Sequence, residues 1–490
     1  KTTLVILNLF QDLGFKHAND IFESKNTIMY FKQMYDKRLS QYAYLIGCQA
    51  TGQAIVIDPM RDIDQYYALA ESENLEIIAV ADTHIHADYI SGLREFAEEG
   101  ITVYASDEGG DDWKYEWLLQ GDYSSELLRH GDTFGIGNIN FEVMHTPGHT
   151  PESLSYLLTD GAAADEPMGI FSGDFVFVGD VGRPDLLETA AGEEGAMKPA
   201  AKRLYQSIQK FKQLPEYLQV WPAHGSGSAC GKAMGAVPES TVGYELRFSG
   251  AFNAAGSEQE FVDYILDGQP EPPLYFGRMK TVNKEGPAVL GKLPRPAKVS
   301  IDEMTKAGGT IIDTRGKHDF MAGHLTGAQL ATLDNNFNTI AGSYIDPDDD
   351  LYLIIDEANL EQAVRDLIRV GLDNIKGYVP LSVFNNWDGD LEQTKAINFD
   401  ELENKRGNGN TQVLDVRKAT EYQNGHVPNS IHIAHTRLAN HLDELPQDKT
   451  LLVHCASGQR ASYAAGLLAR KGFDIEWVDD AFSNWKESHS

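Results

Sequence analysis

Two sets of side chains in this sequence have the types and spacing for chemistry. The first is a series of histidine–aspartate clusters: His84, His86 and Asp88 in His-x-His-x-Asp, His145 and His149 in His-Thr-Pro-Gly-His, Asp174 after Gly173, and His224 in Pro-Ala-His. Imidazole and carboxylate are good ligands for a divalent metal, and such groups at strand ends can converge on one rim of a sheet sandwich. A lone histidine is usually a core or surface residue, but four clusters in loops of the same kind point to one metal site. The second set is Cys455 followed by Ala456, Ser457, Gly458, Gln459 and Arg460. A cysteine between a strand and a helix start faces successive backbone N–H groups and the positive end of the helix dipole. Both stabilise negative charge on sulfur, and the same cradle would hold a terminal persulfide. The C-x4-R loop is smaller than the C-x5-R ring that suits phosphate, so it favours sulfur transfer. Arg460 offers a planar fork to an oxyanion such as sulfite or thiosulfate.

The elements that must position these groups follow from the pattern. A hairpin is expected from Tyr42 to Asp58 around the turn Ala50-Thr51-Gly52-Gln53, then a helix near Asp62–Glu73. The apolar strand Ile77–Ala81 runs into the His84–Asp88 loop, and a helix covers roughly Ile90–Glu99. Strand pairs near Asp132–His145 and Leu154–Phe171, and a strand Leu218–Trp221, end in the remaining clusters. Hairpins with interposed helices predict sheets covered by helices. Residues 288–298, with two prolines and no periodicity, read as a linker. After it comes an internal repeat of alternating strand and helix. Ile311-Ile312-Asp313-Thr314-Arg315 and Gly323-His324 answer Val413-Leu414-Asp415-Val416-Arg417 and Gly425-His426. In the first copy Ile354 or Ile355 falls opposite Cys455, and its loop holds neither cysteine nor arginine.

A chain of 490 residues is expected to form two to four domains. With 41 Lys and Arg against 73 Asp and Glu, its net charge is −32, which disfavours nucleic acid and anionic lipid as partners. An anionic substrate would therefore need a locally positive pocket, for which Arg183 is a candidate. Three cysteines make no disulfide framework and point to a reducing, cytoplasmic setting. Cys48 reads as a core residue. Cys230, in a glycine- and serine-rich loop after His224, reads either as a neighbour of the metal or as a buried small-residue contact. No apolar run is long enough for a membrane helix, and residues 1–28 read as an N-terminal extension before Met29.

The histidine loops, with Asp58 ending an earlier strand, resemble the metallo-β-lactamase superfamily. That resemblance implies an αββα sandwich. Zinc hydrolases of the glyoxalase II type carry His-x-His-x-Asp-His; here Tyr89 takes the last place, which removes a ligand from a second metal position and favours one metal. Ala87-Asp88, His145 to Pro151, Gly173-Asp174, Gly179 to Asp185 and Glu271 to Met279 are similar to the persulfide dioxygenase branch. This implies one non-heme Fe(II) per chain on His84, His149 and Asp174, with His86, Asp88, His224 and Cys230 around them. Arg183, Tyr275 and Arg278 are then the expected substrate contacts. Two imidazoles and a carboxylate leave room on an octahedral ion for O2 and a substrate sulfur.

The Cys455 loop, with Asp415-Val416-Arg417, Glu421 and Gly425-His426-Val427-Pro428, resembles the rhodanese family, with Ser457, Gly458 and Arg460 as substrate contacts. The expected architecture is α/β and α+β. An αββα dioxygenase domain (29–287) is followed by an inactive rhodanese-like domain (299–385) and an active rhodanese domain (395–490). This order resembles the bacterial persulfide dioxygenase–sulfurtransferases. It implies a small thiol persulfide and O2 as substrates, sulfite and thiosulfate as products, and a homodimer or homotetramer. The rival readings are a zinc thioester hydrolase with a rhodanese tail, and a persulfide carrier or sensor.

Overall fold

A computed structural model describes residues 29–488; the expected 1–28 extension lies outside the described residues. The first six strands, Met29–Asp36, Gln41–Cys48, Gln53–Ile57, Glu76–Ala81, Thr102–Ser106 and Ser125–Leu128, lie side by side in chain order. Gln41–Cys48 and Gln53–Ile57 pair antiparallel across the turn in which Gly52 takes φ +71°, as the hairpin reading predicts. The next six, Thr133–Ile136, Ile139–His145, Leu154–Asp160, Gly169–Gly173, Gln219–Pro222 and Ser240–Thr241, form a second sheet, also in chain order.

The facing surfaces of the two sheets share a core that includes Tyr44, Ile57, Phe141, Tyr156, Phe171 and Trp221. Tyr66 and Phe96, from the helices Asp64–Ser72 and Leu93–Glu98, cover the outer face of the first sheet. Leu204, Ile208 and Phe211 of the helix Met197–Phe211, with Phe261 and Ile265 of Glu258–Leu266, cover the second. This is an αββα sandwich, each element burying its apolar face in the next layer. The metal-type clusters all follow strands of this sandwich and so emerge on one rim.

Two five-stranded parallel sheets follow. The first runs, in spatial order, Ala297–Lys298, Ile375–Pro380, Leu351–Ile355, Thr310–Asp313 and Gln329–Leu330. The second runs Lys395–Ile397, Ile475–Val478, Thr450–His454, Thr411–Asp415 and Ile431–His432. Counted along the chain both have the order 1-5-4-2-3, so the internal repeat is a repeat of topology. The ladders also settle its register: Asp313 pairs with Ile354 as Asp415 pairs with His454, which puts Ile355 at the place of Cys455.

The middle unit docks on the sandwich through charge. Arg369, buried on the helix Leu360–Arg369, donates to Asp62 Oδ1 and Oδ2 at 2.8 and 2.7 Å and to Asp36 Oδ2 at 2.6 Å. Arg61 reaches Asp373 at 2.8 Å, Arg38 pairs with Asp366, and the Arg369 carbonyl accepts from Ile90 N at 2.8 Å. Removing one partner of such a buried network leaves the others desolvated and unpaired. Arg369→Met is therefore expected to lower unfolding stability by about 3–5 kcal/mol. The denaturant midpoint reads this, and an unchanged midpoint would show that the network contributes no net stability.

Candidate metal centre and cysteine loop

Asp58 ends its strand at φ +52°, a conformation that side chains rarely adopt, and in it the carboxylate faces back to the next strand end. Its Oδ1 accepts from Thr83 N at 2.7 Å and its Oδ2 from Thr83 Oγ1 at 3.0 Å. Thr83 Oγ1 in turn lies 3.0 Å from His84 Nδ1. His149 Nδ1 donates to the Arg183 carbonyl at 3.1 Å. With Nδ1 occupied in this way, each ring keeps Nε2 for a metal. Asp174 meets them: its Oδ2 is 3.7 Å from His84 Nε2 and 3.3 Å from His149 Nε2. Close packing sets Asp174 here, because a Cβ on Gly173 (φ +54°) would overlap Thr83 and one on Gly182 would overlap the Asp174 carbonyl oxygen.

Both oxygens of Asp174 and the Nε2 atoms of His84 and His149 are buried without a hydrogen-bond partner. Unpaired buried polar atoms are costly, and three ligand-type groups converging within 4.8 Å fit a divalent cation that would satisfy them. Burial, with the neighbouring imidazoles His86, His149 and His224, holds His84 well below its usual range, which suits a neutral ligand.

His86 does not join this group. Its Nε2 is 2.9 Å from Tyr89 Oη, 3.3 Å from Asp58 Oδ1 and 3.8 Å from Asp82 Oδ1. Burial alone would push His86 down, but Asp58 and Asp82 carry it well above the usual range. Two histidines and one aspartate are thus left at the first position. Beside them lie Asp88, His224 and Cys230, all buried. His224 Nε2 is 3.3 Å from Asp88 Oδ2 and 3.5 Å from Asp174 Oδ1.

A narrow cleft lined by Ile85, Ala87, Trp113, Leu186, Phe276 and Lys280 opens on His149. Lys280 Nζ sits 3.9 Å above the Trp113 ring, between Asp112 at 2.8 Å and Glu193 at 2.7 Å.

Cys455 follows the strand Thr450–His454 and is 1% exposed. Gly458 turns the chain at φ +79° into the helix Gln459–Arg470, and its carbonyl accepts from Trp477 Nε1 at 2.8 Å. Arg460 is held by Glu421 through both terminal nitrogens, at 2.5 and 2.8 Å. Lys317, from the middle unit, donates to the Ser457 carbonyl at 3.1 Å.

Burial pushes His454 down to about 4 and His435 down to about 3. Each stays neutral in the fold where the unfolded chain, with values near 6.5, binds a proton. Stability from these groups is therefore full above about pH 6.5 and is lost as pH falls toward 4. A lower melting temperature at pH 5 than at pH 7, reduced in His435→Asn, is the expected result.

Residues 36–224 match the metallo-beta-lactamase superfamily, and residues 398–488 the rhodanese-like domain. The solved metallo-beta-lactamase from Staphylococcus aureus subsp. aureus COL is 40% identical, with a TM-score of 0.65, over 72% of this chain and 99% of its own. This chain belongs to the metallo-β-lactamase superfamily. Its sandwich is also 29% identical to the mitochondrial persulfide dioxygenase ETHE1 of Bos taurus, over 39% of this chain and 67% of that protein. It is 27% identical to a hydroxyacylglutathione hydrolase of Synechococcus, over 37% of this chain and 64% of that one. The superfamily fold is here fused to a C-terminal rhodanese-like domain.

In this metallo-β-lactamase-fold chain the expected substrate contacts fare differently. Arg183 is buried and engaged by Asp185 at 2.8 and 2.5 Å and by the carbonyls of Ala229 and Pro270. Its guanidinium has no face left for an anion; it is the backbone carbonyl that serves the site. Arg278 is likewise bound to the carbonyls of Gly342 and Val370, at 3.0 and 2.9 Å, and joins the first two units. Tyr275 is buried against Gly342, and burial, with the neighbouring Asp88 carboxylate, raises its hydroxyl well above the usual range. Two positioning residues carry no sequence signal. Glu152 Oε1 accepts from Ile85 N at 2.7 Å, and the buried Asn283 amide donates to the His86 and Tyr89 carbonyls, both at 2.9 Å.

Proposed function

We propose that the chain is a bifunctional enzyme of sulfide detoxification, an Fe(II)- and O2-dependent persulfide dioxygenase joined to a Cys455 sulfurtransferase. The observation that carries this reading is the withdrawal of His86 to Asp58 and Tyr89, which leaves a two-histidine, one-carboxylate group with open positions. Likeness to the persulfide dioxygenase of Bos taurus and the match to the rhodanese-like domain support it.

On this reading 29–287 is the dioxygenase unit, 299–385 a rhodanese-like unit without a sulfur-carrying cysteine, and 395–490 the transferase. Iron on His84, His149 and Asp174 would supply the redox chemistry by which one persulfide, one O2 and one water give a thiol, sulfite and two protons. On this reading the cleft beside Trp113, Phe276 and Lys280 is the side from which the persulfide approaches His149. Thr83 and the Arg183 carbonyl fix the tautomers of His84 and His149. At the second site the Cys455 sulfur attacks the outer sulfur of a donor persulfide; the donor's S–S bond breaks, the donor leaves as its thiol, and Cys455 holds the persulfide. Sulfite then attacks the outer sulfur, the S–S bond to Cys455 breaks, and thiosulfate leaves while Cys455 regains its thiol. Arg460, aligned by Glu421, orients the oxyanion.

The likeness to hydroxyacylglutathione hydrolase gives the competing reading, a zinc thioester hydrolase. Anaerobic Fe(II) loading separates the two, because divalent-metal affinity alone favours zinc. O2 uptake with a persulfide and no cleavage of a glutathione thioester is expected. Thioester cleavage by the zinc form, with no O2 uptake by the iron form, would sink the dioxygenase reading.

A further inference from the structure

The middle unit has Ile355 where the C-terminal unit has Cys455, yet one of its side chains reaches the cysteine loop. Lys317 opens the helix Lys317–Ala322, the end of a helix at which a cation is least favoured. Its side chain crosses to the neighbouring unit instead. Nζ donates to the Ser457 carbonyl at 3.1 Å and to Asp479 Oδ1 at 2.7 Å, and lies 5.2 Å from the centre of the Trp477 ring. His318 Nε2 meets the other oxygen, Asp479 Oδ2, at 2.7 Å. A Cβ on Gly458 would come within 2.7 Å of Asp479 Oδ1 and 3.1 Å of Lys317 Nζ, so the pair closes directly on the turn.

This contact fixes the direction of a peptide plane. In a trans peptide the C=O of one residue and the N–H of the next point in opposite directions. Three successive carbonyls of the loop are held from outside it: Ala456 by Phe482 N at 2.9 Å, Ser457 by Lys317, and Gly458 by Trp477 Nε1 at 2.8 Å. The N–H groups of Ser457, Gly458 and Gln459 are thereby turned the other way, into the loop that begins at Cys455. Among the described residues none of the three donates to another group, and the Ser457 carbonyl has no donor besides Lys317. Successive free N–H groups favour an anion, and sulfur transfer puts negative charge on the sulfur that Cys455 carries and on the thiolate left behind.

We propose that the middle unit acts on the transferase site, with Lys317 as a positioning residue that holds the Ser457–Gly458 peptide so that its N–H faces the sulfur on Cys455. The inference rests on the proposed reading of Cys455 as the sulfur carrier. Lys317 is 18% exposed and Asp479 26%, and an ion pair this open to water adds little stability, so its effect falls on turnover.

Thiosulfate as donor and cyanide as acceptor test this in the full chain. The Cys455 sulfur attacks the outer sulfur of thiosulfate and sulfite leaves; cyanide carbon then takes that sulfur, thiocyanate leaves, and Cys455 is left as the thiolate. Lys317→Met is expected to lower kcat about tenfold, the order expected of one hydrogen bond to a charged group. KM for thiosulfate should stay within about twofold, because Arg460 holds the oxygens. Lys317→Arg keeps a cationic donor and should restore most of the rate. His318→Asn loosens the same Asp479 contact without touching the Ser457 carbonyl, and should leave kcat at the wild-type value. An unchanged kcat in Lys317→Met, or an equal loss in Lys317→Arg or in His318→Asn, would overturn the inference and leave Cys455 as the carrier. If the wild-type chain forms no thiocyanate, the reading of Cys455 falls and this inference with it.

Discussion

Cys455→Ser is expected to cut thiosulfate formation by about a hundredfold or more, with O2 uptake unchanged and sulfite accumulating in its place. The thiol is the only group in its loop that can form an S–S bond, and the corresponding loop of the middle unit, with Ile355 at that place, offers no substitute. Serine is close to cysteine in size, so the packing of a side chain only 1% exposed is little changed. The loop geometry set by Gly458, Trp477 and Lys317 should therefore survive. Sulfite and thiosulfate measured in the same reaction check this. Thiosulfate formed at the wild-type rate by the variant would remove Cys455 from the reaction.

His149→Ala is expected to lose bound iron and O2 uptake together. Removing an outer-shell partner of a metal ligand costs about 10–100-fold in affinity or activity, and removing the ligand itself should cost more. His149 is one of three donors at the first position, and its loss also leaves Asp174 Oδ2 facing only His84, at 3.7 Å. The rhodanese-like unit is built on separate strands, so transfer of sulfur from thiosulfate by Cys455 should be unchanged in this variant. Metal analysis beside both assays makes the comparison; a variant that keeps its iron and its O2 uptake would displace His149 from the site.

Much of this was legible in the residues because local chemistry demands them. Gly148, Gly173 and Gly458 stand where φ is positive and a Cβ would collide, so Pro-Gly-His, Gly-Asp and the cysteine loop appear as short motifs. The sandwich and the repeated α/β topology follow from apolar runs punctuated by turns. The repeat register stayed open between Ile354 and Ile355 in sequence, because one residue along an apolar run changes no composition; the ladder resolves it.

What could not be read is set by long-range contacts. His86 sits in the same motif as His84, and only the approach of Asp58 from a neighbouring strand end draws it away. Arg183 looked like a cation for an anionic substrate, yet its pairing with Asp185 and with carbonyls more than forty residues away is invisible in a motif. Asn283 and Glu152 act through hydrogen bonds to backbone groups from helix and loop, a role that amide and carboxyl side chains fill everywhere. The docking of Arg369 on Asp62 and Asp36 likewise depends on how two units meet.

The most direct test of the central claim is O2 consumption by the Fe(II)-loaded chain supplied with a panel of small-thiol persulfides, with sulfite and thiosulfate quantified together. One O2 consumed per persulfide oxidised is expected, with the oxidised sulfur recovered as sulfite and thiosulfate. No O2 consumption with any persulfide, from protein shown to hold iron, would contradict it.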